Sequence, residues 1–63
     1  PDFGRAKKQF YLHREPYYSS GKVKYVTLKR EHLRIIDKTA RPGWLKVRDS
    51  SGQVGYMPWS LLE

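Results

Sequence analysis

Apolar and polar positions alternate most clearly in the C-terminal half of the chain. Lys46-Val47-Arg48 reads polar, apolar, polar, as a half-buried strand does. Asp49-Ser50-Ser51-Gly52 is a turn cluster in which Gly52 is free to take positive φ. Gln53-Val54-Gly55-Tyr56-Met57 returns as the second strand of a hairpin. Pro58 ends it, since proline has no N–H for the ladder. A lone hairpin is marginal in water and needs further strands. Leu33-Arg34-Ile35-Ile36-Asp37 supplies one, being β-branched and partly alternating. Residues 38–43 then form a loop that leads to Trp44. The pattern predicts a three-strand antiparallel meander with Ile35 and Val47 turned inward on neighbouring strands.

The N-terminal half is less regular. Residues 1–8 are polar and basic, and read as a linker or an ordered lead-in. Residues 9–13, Gln-Phe-Tyr-Leu-His, are a short strand candidate. Residues 15–21 are rich in turn formers. Residues 22–28 alternate, with Val23, Tyr25 and Thr27 on one side. Residues 29–32 make a polar turn. No window shows a helical apolar stripe. Five short strands in so short a chain predict an all-β fold, a small five-stranded barrel over residues 9–63.

Composition narrows the chemistry. A chain of 63 residues is one small domain with a thin core. It has no cysteine, and its two histidines, His13 and His32, lie far apart, so no metal or other cofactor is expected. No apolar run approaches the ~20 residues that span a bilayer. The serines at 19–20 and 50–51 sit in turns, no carboxylate pair stands out, and no phosphate-binding glycine loop is present. These features predict a non-catalytic chain. We expect it to act in the cytoplasm, as one domain of a larger intracellular protein.

The meander, with its tryptophan and its Gly55-Tyr56-Met57-Pro58 run followed by Trp59-Ser60-Leu61-Leu62, resembles the second half of a Src-homology 3 (SH3) domain. Its hairpin is most similar to the SH3 domains of the epidermal growth factor receptor pathway substrate family of adaptors. The resemblance implies a small barrel that binds proline-rich peptides in an aromatic groove. It implies that Trp44 lies flat on the surface, with Tyr56 and Pro58 on the same groove wall. A polyproline II ligand is already near its bound shape, so aromatic packing against it costs little entropy. Alternation and family position together place Leu33, Ile35, Val26, Val47, Met57 and Leu62 in the core.

The chain also departs from that family. The usual opening tyrosines are missing, and Tyr11, Tyr17 and Tyr18 are the candidates to replace them. Leu61 stands where a ligand-binding tyrosine is expected, and Trp59 either extends the ligand surface or caps the barrel. The long loop that carries carboxylates in the family retains only Glu15, while Lys22, Lys24, Lys29 and Arg30 form a candidate anionic-surface site. The formal net charge is +7. Such a surface repels a basic peptide and favours a neutral or acidic one. Anionic lipid headgroups are an alternative partner, with nucleic acid a weaker one. The N-terminal half, from Leu12-His13-Arg14-Glu15-Pro16 to Thr27-Leu28-Lys29-Arg30, is similar to bacterial-type SH3 domains, which implies a targeting role as a further alternative.

Overall fold

The computed structural model describes residues 2–26 and 31–63, with Val26 described by its backbone alone. The described residues form six strands: β1 (Asp2–Arg5), β2 (Phe10–His13), β3 (Lys22–Val26), β4 (His32–Asp37), β5 (Trp44–Arg48) and β6 (Val54–Pro58). A 3₁₀ turn, Trp59–Leu61, follows β6. Among the described residues there is no α-helix. The all-β expectation therefore holds. Residues 27–28 of the strand expected over 22–28, and the turn residues Lys29 and Arg30, lie outside the described residues.

The strands form one antiparallel sheet in the order β1-β4-β5-β6-β2-β3. The meander β4-β5-β6 is its centre, with Ile35 opposite Val47 and Leu45 opposite Met57. The β5–β6 turn is set by Asp49 and Gly52. Gly52 takes φ 93°, its N–H donates to the Asp49 carbonyl at 3.1 Å, and the Asp49 N–H donates to the Gln53 carbonyl at 2.9 Å.

Two features differ from the closed five-stranded barrel. Asp2–Arg5, read as part of a linker or lead-in, is a strand paired with β4, with Phe3 opposite Arg34. The sheet is also open: β1 and β3 are its two edges, and no ladder joins them among the described residues. It nevertheless curls strongly. A flat sheet would be thin in one direction, yet the smallest extent of the Cα trace is 20 Å. The C-terminal residues brace one end. Leu62 bridges Ala6, the Lys7 N–H donates to the Leu61 carbonyl, and the Glu63 N–H donates to the Arg5 carbonyl.

The core lies on the inner face: Ala6, Phe10, Leu12, Leu33, Leu45, Val47 and Met57. Val23, Ile35, Leu61 and Leu62 are half-buried against it. Ile35 and Leu62 therefore border the core rather than fill it. The β2–β3 hairpin joins the meander through β2, and Gly55 makes that approach possible. A Cβ at residue 55 would lie 2.7 Å from Leu12 Cβ, 2.9 Å from Val23 Cγ2 and 3.2 Å from the His13 carbonyl oxygen. Two of these neighbours are held by the facing strand and cannot swing away. Gly55→Ala is expected to destabilise the fold by about 1–3 kcal/mol, as overpacking does. An unchanged denaturation midpoint would show that β2 and β6 pack less closely than this.

Candidate functional site

Side chains alternate across the strands, so the residues between the core positions face outward. On β5 these are Trp44, Lys46 and Arg48; on β6, Val54, Tyr56 and Pro58; on β2, Tyr11 and His13. Trp44 pairs with Pro58, Lys46 with Tyr56, and Tyr56 with His13. The register thus places Trp44, Tyr56 and Pro58 on one face, together with His13.

Trp44 is not the open surface ring expected. It is only 8% exposed, although it stands outside the core cluster. Its cover is aromatic and comes from distant sequence. Tyr18, on the 14–21 loop, meets it edge-on at 5.0 Å between ring centroids, and His13 does so at 5.5 Å. His13 and Tyr18 close the triangle at 5.8 Å. Such edge-to-face contacts add to the stabilisation from burial. Tyr18 is itself 71% exposed, so it is the outer member of the trio. His13 Nδ1 is buried and has no hydrogen-bond partner among the described residues.

On its other side Trp44 lines a cleft of about 390 Å³ with Gly43, Leu45, Ile35, Leu62, Lys38 and Trp59. Trp59 is 67% exposed. It forms the lip of the cleft, so it extends the accessible aromatic surface. The loops around the cleft are tied down. The Trp44 N–H donates to the Arg41 carbonyl, the Trp59 N–H donates to the Gly43 carbonyl, and the Arg41 guanidinium reaches the Pro16 carbonyl at 3.4 Å.

The remaining candidates separate. Pro58 is buried and Tyr56 half-buried. Tyr17 is exposed on the 14–21 loop. Tyr11 pairs edge-on with Tyr25 across β2–β3, and Lys22 holds its ammonium 4.4 Å from the Tyr11 ring centre. Leu61 is half-buried against the core and offers its side chain to the fold.

Of the expected basic set, Lys29 and Arg30 lie outside the described residues, and Lys22 and Lys24 are engaged within the fold. Lys24 is committed to Asp49, with 2.5 Å between Nζ and Oδ2. That contact raises the Lys24 ammonium above its ordinary value. Asp49 is the hub of the β5–β6 turn. Its Oδ1 accepts from the Ser51 N–H at 2.9 Å, the Ser51 hydroxyl at 2.8 Å and the Gln53 N–H at 2.9 Å. Burial alone would push the Asp49 carboxyl up. The Lys24 ammonium, the Ser51 hydroxyl and the Gln53 amide outweigh it and hold the carboxyl below the ordinary value. The sequence marked Asp49 as a turn residue and gave no sign of Lys24 as its partner.

Among the described residues no cluster of His, Asp and Glu is placed to hold a metal ion, and no helix is long and apolar enough to cross a membrane. No protein-family model, no curated protein and no solved structure matches this chain.

Proposed function

We propose that the chain is a non-catalytic interaction module of the SH3 type. Its ligand is an extended, proline-containing segment of a partner protein, neutral or acidic in charge. The observation that supports this most is the meeting of the His13–Tyr18–Trp44 trio with an apolar cleft, along one shared tryptophan, with Trp59 open at the lip. A cleft of this volume, mostly apolar with a few polar groups at its rim, is typical of ligand sites. Rings with few rotatable bonds lose little entropy when a stiff peptide packs on them. Lys38 at the cleft is already paired with Asp2 at 2.6 Å, so the charge argument rests on the net charge of +7 and on Glu15 being the one acid of the 14–21 loop, which favour an acidic ligand over a basic one. The serines support the non-catalytic reading, since Ser20, Ser50 and Ser51 use their hydroxyls to tie turns together.

The test compares acidic and basic versions of one proline-rich peptide by NMR titration. Exposed residues make the cleanest variants, because Trp44→Ala would disturb a buried ring. Trp59→Ala and Tyr18→Ala are each expected to weaken the acidic peptide by on the order of tenfold. Tight binding of the basic peptide alone would overturn the charge argument. Unchanged affinity in both variants would overturn the site.

A further inference from the structure

The geometry points to a second binding surface, on the outer face of β1, β4 and β5, that takes single-stranded nucleic acid. The register sets three exposed side chains in one row across three strands: Phe3 opposite Arg34, and Arg34 opposite Arg48. Like charges directly opposite each other in a sheet are destabilising, so two arginines in this position have a cost unless an anion lies between them. Neither guanidinium has an ion-pair partner among the described residues. The nearby carboxylates are engaged elsewhere: Glu31 accepts from Ser50, and Asp49 is held by Lys24 and its own turn. The arginine pair is flanked by two shallow concavities. One, of about 340 Å³, also touches Ile35 and Ile36; the other, of about 250 Å³, also touches Phe3, His32, Ser50 and Asp49, whose carboxylate is neutralised by Lys24.

The aromatic part decides the ligand class. Phe3 is 51% exposed, and its ring lies 4.6 Å from that of His32 with 36° between the planes. A pair of tilted rings, with the Phe3 ring half exposed, thus stands beside the two guanidinium forks. Single-stranded nucleic acid alternates bases that stack with phosphates that accept from arginine. An acidic peptide would use the charges and leave the rings idle. A lipid headgroup would favour a projecting loop, whereas these residues lie within the strands of a sheet. The surface is distinct from the Trp44–Trp59 cleft and does not depend on the peptide reading.

The experiment uses the 63-residue chain and a fluorescently labelled ten-nucleotide oligouridine followed by anisotropy, with polyglutamate and phosphatidylserine vesicles as competing probes. The oligonucleotide is expected to bind, and polyglutamate and vesicles to compete poorly. The double variant Arg34→Ala, Arg48→Ala is expected to lower affinity at least about tenfold. It should also flatten the slope of log affinity against log salt by about 1.4, or 0.7 for each phosphate contact. Phe3→Ala is expected to weaken binding roughly five- to 150-fold and leave the salt slope unchanged. Trp59→Ala should alter neither, which separates this surface from the peptide cleft. All four substituted residues are exposed, and unchanged NMR spectra elsewhere would show that the fold is intact. Absence of oligonucleotide binding would overturn the proposal. So would an oligonucleotide affinity insensitive to the arginine pair or to Phe3, or stronger binding of polyglutamate or vesicles through the same residues.

Discussion

Replacing Leu12 with alanine is expected to cost the fold about 2–5 kcal/mol, the range for a buried leucine whose cavity cannot fully collapse. Leu12 is 0% exposed. It stands on β2, the strand that joins the β2–β3 hairpin to the meander, and its Cβ faces Gly55 of β6. Gly55 has no side chain to fill the space, and Val23, already in contact range there, is β-branched and stiff. A core in a chain of this size rarely supplies more than about 3–5 kcal/mol of net stability. Leu12→Ala should therefore leave much of the population unfolded at 25 °C. Ile35→Ala is the informative comparison. Sequence pattern places Ile35 inside, but it is half-buried at the cleft, so its truncation should cost about 1–2 kcal/mol. Denaturant midpoints check both. A larger loss for Ile35→Ala than for Leu12→Ala would mean that the core is centred on the meander alone.

The contrast between these two residues shows what the chain discloses in one dimension. The β5–β6 hairpin was legible because everything that specifies it is local. Val47 alternates with Lys46 and Arg48, Gly52 permits the positive φ, and Pro58 stops the ladder. Leu33, Val47 and Met57 were legible as core for the same reason, and all three are 0% exposed. Strand β1 was not legible. Asp2–Arg5 contains a single large apolar residue, Phe3, and that residue faces outward. Its strand character comes from pairing with β4, some thirty positions away, and edge strands of this kind leave little hydrophobic signal.

The candidate site divides in the same way. Trp44 and Trp59 could be named from the run that contains them. The burial of Trp44 could not, because the rings that cover it, Tyr18 and His13, come from the 14–21 loop and β2. Lys22 and Lys24 look alike in sequence. Only the packing of β3 beside the β5–β6 turn distinguishes Lys22, which stacks on Tyr11, from Lys24, which neutralises Asp49. The Arg34–Arg48 pair likewise needs the register, since each arginine alone is an ordinary outward residue of an alternating strand.

Asp49 should make the stability of the fold depend on pH. Asp49→Ala removes the acceptor for three hydrogen bonds and the partner of Lys24, and is expected to cost about 2–4 kcal/mol. Water can replace part of this loss at Ser51 and Gln53, which are exposed, so the full sum of the bonds is not reached. The sign of the pH dependence follows from the direction of each shift. The Asp49 carboxyl is held below its ordinary value in the folded state, so its contribution is present above the unfolded value of about 4. That contribution is lost as pH falls through the lower, folded value. Lys24 is raised, so its contribution is complete below the ordinary lysine value of about 10.4 and disappears only as pH rises through the higher, folded value. The pair therefore stabilises the turn throughout the neutral range and weakens in acid. Asp49→Asn tests this most directly, because it retains a side-chain oxygen near the turn amides while removing the titrating carboxyl. Asp2 and Asp37 also have lowered carboxyls and remain in both chains, so they supply a common background. The loss of unfolding free energy between pH 6 and pH 2.5 is expected to be smaller in Asp49→Asn than in the parent chain. Parallel pH profiles would show that the carboxylate is not preferentially ionised in the folded turn, and the Lys24 contact would then be an ordinary surface pair.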